Sequence, residues 1–202
     1  MHVSVALDRC IELLTPAIKN SSSPVFVDAT LGLGGHSFEM LNRFPNLTLV
    51  GIDRDTSAIE KASARLSEFG NRVNIAHTVF DHFSEVVKSF GFEKIDAALF
   101  DLGVSSMQLD VAERGFSYSQ DAPLDMRMDQ TQGITAEEIV NTWSHGDISR
   151  ILRVYGEEKF APRIADFIIR EREVSPIKST AALATLVKNA IPAAARRTGG
   201  NP

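Results

Sequence analysis

The chain has 202 residues, 44% of them hydrophobic, and a formal net charge of −5. That length and composition suit a globular protein with core enough for one domain and a subdomain, and no internal repeat or low-complexity tract interrupts it. No run of about 18 apolar residues and no charged-then-apolar N-terminal pattern occurs, so neither a membrane span nor secretion is expected; the single Cys10, on an apolar stripe with Leu7, Ile11 and Leu14, reads as a packed thiol in a reducing cytoplasm.

In chain order, the apolar periodicity predicts an amphipathic helix over 3–18, a strand at 25–28, a helix from about His36 and a second strand over 47–53. A helix over 56–69, a third strand at 73–77 and a helix from about Phe83 follow, and the apolar run 95–100 reads as a buried parallel strand ending at Asp101. Strands alternating with helices specify an α/β fold, a parallel sheet with helices on both faces. After Arg114 the character changes to a loop rich in Gly, Pro and Asp, and then to helices alone. Thr135-Ala-Glu-Glu138 is a capping box, and helices are expected over 147–155, 157–172 and 180–190, with loop at 196–202. The predicted organisation is an α/β domain over 1–114 and a helical subdomain over 115–202, with Trp143 in the core between the helices.

Charge follows the same division. Residues 149–202 carry ten basic and five acidic side chains, whereas 101–148 carry two basic and nine acidic. Arg150, Arg153, Lys159, Arg163, Arg170, Arg172, Lys178, Lys188, Arg196 and Arg197 form either a basic face for phosphates or a solvated helix surface with local Glu/Arg pairs. The sequence leaves both readings open.

Two segments carry chemistry. Asp28-Ala-Thr-Leu-Gly32-Leu-Gly34-Gly35-His36 joins the first strand to its helix, where glycines let the backbone turn sharply and the helix N-terminus offers N–H groups to an anion. A dinucleotide fingerprint starting at Gly32 requires glycine at 37, where the chain has Ser37, which disfavours a nicotinamide-dependent oxidoreductase. An acid at the strand end followed by G-x-G instead resembles the S-adenosylmethionine loop of Rossmann-like methyltransferases. Asp53 closes the second strand, where a carboxylate accepts from both ribose hydroxyls of a nucleoside; Asp55 is the better helix cap. The second segment is Asp101-Leu-Gly-Val-Ser-Ser-Met-Gln-Leu-Asp110, at the carboxyl end of a strand, the side on which open α/β sheets bind ligands.

The strings DATLGLGGHS, GIDRD, FDLGVSSMQLD, ERGFSY and APLDMRMD, with YGEE at 155–158, resemble in order and spacing the ribosomal small subunit methyltransferase H family, the MraW-type 16S rRNA cytosine-N4 methyltransferases. The resemblance implies a Rossmann-like sheet with a helical substrate-recognition subdomain, S-adenosylmethionine as cofactor, and methyl transfer to the exocyclic amine of a cytidine in the decoding region of 16S rRNA, within the small ribosomal subunit. It carries the family's cofactor contacts onto Gly34, Gly35, His36, Asp53, Phe80, Asp101 and Gln108. Asp101 is the expected acceptor that polarises the amine, assisted by Ser105 or Ser106; binding the cofactor's amino group is its alternative role. Phe116, Tyr118 and Met126 are expected beside the extruded base, and Arg114 and Arg127 on phosphates.

Metal chemistry is not expected. His2, His36, His77, His82 and His145 lack ligand spacing, and Asp121, Asp125 and Asp129 lack a calcium-loop pattern. Four strands are predicted where such methyltransferases complete seven, so the chain reads as a truncated member with its last strand at a sheet edge. A non-catalytic remnant that binds S-adenosylmethionine or RNA is the alternative function.

Overall fold

The computed structural model describes residues 4–196, without the side chains of Ser106, Met107, Ala194 and Arg196. Contacts divide the chain into two units, Met1–Gly103 and Val104–Pro202, a boundary that falls before the DLGVSSMQLD segment ends rather than after Arg114. The expected loop beyond Arg196 lies outside the described residues.

The first unit runs α1 (Leu7–Lys19), β1 (Val25–Asp28), α2 (Gly35–Arg43), β2 (Thr48–Asp53), α3 (Thr56–Leu66), β3 (Val73–His77), α4 (Phe83–Ser89) and β4 (Ala97–Leu99). All pairings are parallel and the order is β3-β2-β1-β4. Period-two alternation sends side chains to two separate cores. Phe26, Leu49 and Ala97 pack with Ile11, Ile18, Met40, Leu41, Ala62 and Leu66 of α1, α2 and α3. Val25, Val27, Val50 and Ile52 pack on the opposite face with Val86 and Val87 of α4. Both faces of the sheet are therefore covered, as a parallel sheet requires.

Four boundaries differ most from the sequence expectation. The helix expected over 3–18 begins only at Leu7, after Ala6 at φ 50°. Helix α3 stops at Leu66 and is followed over Ser67–Arg72 by 3-10 turns that are broken at Gly70, where φ is 56°. The fourth strand is three residues instead of the expected six, and it is not buried throughout: Ala98 and Leu99 are half-buried and Phe100 is exposed, as befits its position at the sheet edge. The helix expected from 157 begins only at Ala161, since Glu157 sits at φ 50° and Pro162 favours the first turn of a helix.

The second unit holds α5 (Ser106–Asp110), α6 (Ala136–Thr142), α7 (His145–Val154), α8 (Ala161–Val174), α9 (Thr180–Ala190) and α10 (Ala193–Arg196). Thr135, Ser144 and Ser179 cap α6, α7 and α9 by accepting from N–H groups of the first turn. Leu124, Val140, Ile148, Ile164, Ala165, Ile168 and Ile177 form one core, against which Trp143 packs. Among the described residues, no helix is long and apolar enough to cross a membrane.

Arg172 fastens α8 to the end of α6: its Nη1 donates to the carbonyls of Val140 (2.9 Å) and Trp143 (2.7 Å). Arg172→Met keeps the apolar stem but strands both carbonyls, and should lower unfolding stability by about 1–3 kcal/mol in urea titrations monitored by circular dichroism. An unchanged midpoint would refute this role.

Candidate functional site

The turn between β1 and α2 is stitched to the strand ends on both sides. Ala29 N–H donates to Leu99 O (2.9 Å) and Leu31 N–H to Ile52 O (2.9 Å), so successive odd residues extend the pairing first to β4 and then to β2. Side chains complete the alternation. The Thr30 hydroxyl oxygen accepts the Asp101 N–H (2.7 Å), and the Asp53 carboxylate accepts the Gly32 N–H (2.7 Å) and the Asp55 N–H (2.9 Å). Because β2 and β4 flank β1 on opposite sides, this turn sits at the topological switch point of the sheet, where open α/β folds bind ligands.

The glycines of the turn divide by what surrounds them. A Cβ on Gly34, at φ 70°, would meet Leu66 and Ala62 of α3, and one on Gly35 would collide with the Ser4 hydroxyl. Both absences are explained by packing inside the unit. Gly32, at φ 53°, has only the Thr30 carbonyl 3.9 Å from its Cβ position, so its side is open to an incoming group. Sequence reasoning did not single out Gly32; the first glycine of G-x-G was its only signal.

His36 is buried, with Nε2 3.1 Å from the Val5 carbonyl, so the ring holds the segment ahead of α1 against the start of α2. Beside it lies an acid the sequence reading used only as a motif marker. Asp28 is fully buried and accepts the Ser37 hydroxyl (2.6 Å) and, more weakly, the Thr30 N–H (3.3 Å). Burial pushes its carboxyl up to about 6, against the lowering pull of Ser37, His36 and Thr30.

Phe80 follows β3, and Phe100 follows β4, at opposite edges of the sheet. Three strand spacings of about 4.8 Å separate those edges by roughly 14 Å. Yet the Phe80 and Phe100 rings meet edge-to-face at 6.0 Å, and Phe83 meets Phe100 at 5.9 Å. The segment after β3 therefore turns back toward the end of β4, with Phe83 also packed on the core of one sheet face. Phe80 and Phe100 stay 41% and 42% exposed, leaving apolar surface open there. Asp101 itself is exposed and, among the described residues, is anchored through its backbone and not through its carboxylate.

The expected residues of the second unit take mostly structural positions. Ser105 and Gln108 form a reciprocal capping box for α5: Gln108 Oε1 accepts the Ser105 N–H (2.9 Å), and Ser105 Oγ accepts the Gln108 N–H (3.3 Å). The S-x-x-Q pattern was the available signal for this pairing. The Ser106 side chain lies outside the described residues. Arg114, expected on a phosphate, is 5% exposed and donates to the carbonyls of Arg127 (3.0 Å) and Met128 (2.8 Å), bracing the loop from inside. Its guanidinium also lies 5.9 Å from the half-buried Phe116 ring. Arg127 forms a two-point pair with Asp125 (3.0 and 2.8 Å), which holds that carboxylate below its usual range. Tyr118 and Met126 are exposed, with Met126 at φ 62°. Among the described residues, no group of three or more His, Cys, Asp or Glu side chains could hold a metal ion.

Asp28 generates a pH signature. A carboxyl raised in the folded state contributes stability below its unfolded value of 3.8, and that contribution is lost as pH rises through about 6. Asp28→Asn keeps an acceptor for Ser37 without the buried charge. The variant should gain on the parent by about 2–3 kcal/mol between pH 4 and pH 7 in urea unfolding, and parallel pH profiles would disprove the buried-charge account.

Residues 1–202 match the MraW methylase family throughout. The "Ribosomal RNA small subunit methyltransferase H" of Salinispora arenicola is 59% identical over 201 residues, and that of Streptomyces avermitilis 53% identical over 201 residues. These alignments cover 100% of this chain but 54% and 63% of those relatives, so the chain spans little more than half their length. A solved rRNA methylase from Streptococcus thermophilus, 20% identical, overlays at a TM-score of 0.41 across 65% of this chain and 78% of its own, too loosely to carry an argument. The match along every residue, on a chain that builds a glycine turn at a parallel switch point, gives the assignment: this chain belongs to the MraW methylase family.

Proposed function

We propose that the protein serves S-adenosylmethionine-dependent methylation of 16S rRNA in the small ribosomal subunit, at the exocyclic N4 amine of a cytidine in the decoding region, in the cytoplasm. The observation that carries this reading is the single edge on which Asp53, the open side of Gly32, Phe80 and Asp101 all lie. The printed name of the relatives, a methyltransferase for small-subunit ribosomal RNA, points the same way.

These residues fit a nucleoside sulfonium in kind. The cofactor, when bound, supplies an electrophilic methyl group. Each oxygen of Asp53 already accepts one backbone N–H and retains a lone pair for a ribose hydroxyl. Phe80 and Phe100 offer apolar ring surface to a flat base, and Gly32 admits close approach of the backbone. Gly34, Gly35 and His36 contribute indirectly, by setting the turn and the start of α2.

Asp101 is the polarising group in this reading. A cytosine amine is a poor nucleophile because its lone pair is delocalised into the ring; a carboxylate that accepts one N–H localises that lone pair and can take the proton afterwards. Tyr118 and Met126, exposed in the second unit, are assigned in this reading to capture of the extruded cytidine.

A second reading rests on the sheet edge. Among the described residues β4 pairs only with β1, so its outer side has no ladder partner. That favours a chain able to bind cofactor or RNA without completing the transfer.

Labelled S-adenosylmethionine and small subunits lacking the modification separate the two. Transfer by the 202-residue chain supports the first reading; transfer only by a chain of the relatives' length supports the second, and by neither sinks both. In whichever chain is active, Asp101→Asn should lower the rate by about 100-fold or more while leaving cofactor affinity largely intact. A parallel loss of affinity would assign Asp101 to cofactor binding instead.

A further inference from the structure

The corner between α7 and α8 presents an aromatic ring and several cations that the fold does not use. Tyr155 is 78% exposed, and Val154 beside it is 59% exposed. The chain forgoes about 2 kcal/mol of burial by leaving such a ring in water. The ring is nevertheless held on a stiff mount. Tyr155 N–H donates to Ile151 O (3.0 Å) and Glu158 N–H to Leu152 O (3.0 Å). A Cβ on Gly156 would come within 2.8 Å of Leu152 O, Glu157 is fixed in the left-handed region at φ 50°, and Glu158 Oε1 accepts the Phe160 N–H (2.6 Å).

Around this mount the charges are unbalanced. Arg150 and Arg153 are one helical turn apart on α7 and Lys159 lies in the connecting turn, all exposed. None of the three has a side-chain partner among the described residues. The contrast lies within the same unit: Arg114 and Arg172 are tied to backbone carbonyls and Arg127 to Asp125. Of the three acids near these cations, Glu158 accepts the Phe160 N–H and Asp147, one turn before Arg150, accepts the Ser144 hydroxyl, which leaves Glu157.

We infer that Arg150, Arg153, Tyr155 and Lys159 form a contact for single-stranded RNA, with the tyrosine ring stacked on an unpaired base and the cations on the flanking phosphates. This rests on the RNA-methylation reading and specifies a surface of the second unit on which RNA is held. An acidic peptide would satisfy the cations but give the exposed ring no flat partner, and a duplex keeps its bases stacked on one another. An unpaired strand satisfies both, and a preorganised ring loses little entropy on contact.

The test uses fluorescence anisotropy of a labelled single-stranded oligoribonucleotide of mixed sequence with the 202-residue chain, in a series of salt concentrations. Tyr155→Ala should weaken binding by about tenfold and Tyr155→Trp should restore it. The pair Arg150→Ala with Arg153→Ala should reduce the slope of log affinity against log salt by roughly 1.4, the share of two single-strand phosphates. Circular dichroism and urea midpoints should be unchanged in all variants, because these side chains are exposed. Binding by the parent with every variant equal to it would overturn the corner and leave the methylation reading standing. No RNA binding by the parent would overturn the corner, with the transfer assay on small subunits still deciding the methylation reading, and an equal loss in Tyr155→Ala and Tyr155→Trp would overturn stacking.

Discussion

Two side-chain hydrogen bonds, Gly32 N–H to Asp53 and Asp101 N–H to Thr30, fix the turn after β1 between its neighbouring strands. The sheet order makes them possible. With β2 on one side of β1 and β4 on the other, a turn leaving β1 is the only segment that can reach both strand ends without crossing the sheet. The same two bonds bring the acid at the end of β2 and the exposed turn after β4 to one edge. Loss of either would leave Ala29 and Leu31 bonded to the flanking strands but release the Asp53 carboxylate or the Asp101 backbone from the turn.

The residues around this turn serve packing and binding in unequal shares. Gly34 makes room for Leu66, Gly35 for Ser4, and His36 holds the Val5 carbonyl, so three residues of the G-G-H string are explained by how α1, α2 and α3 pack. Such packing is indirect evidence for a site. A turn held this firmly presents Gly32 and Asp53 in one arrangement, and a preorganised pair of groups loses less on binding than a mobile one.

Much of the first unit was legible from residue pattern, because β1 is a short apolar run, β3 alternates Val73 and Ile75 with Asn74 between them, and α3 is announced by Asp55. The fourth strand was overextended, since apolar residues at 95 and 100 mark side chains that pack under or beside a sheet as readily as strand members. The arginines were the harder problem. Arg114 and Arg127 have the sequence surroundings of surface cations, and only the folded loop shows that one reaches inward to carbonyls and the other turns back on Asp125. The Ser105 and Gln108 pairing was legible in principle, since S-x-x-Q is a capping pattern.

Asp28 and Asp101 lie close to the ends of adjacent strands, and their surroundings separate what each can do. Asp28 is buried, engaged by Ser37 and raised by desolvation, so its carboxyl is committed to the turn and costs stability when ionised. Asp101 is exposed, its backbone N–H is fixed by Thr30, and its carboxylate has no hydrogen-bond partner among the described residues. A group that must accept a proton from an arriving amine needs a held backbone and a free carboxylate. Of these two acids only Asp101 has both, while Asp28, by holding Thr30 and Ser37, supports the turn from which Asp101 is anchored.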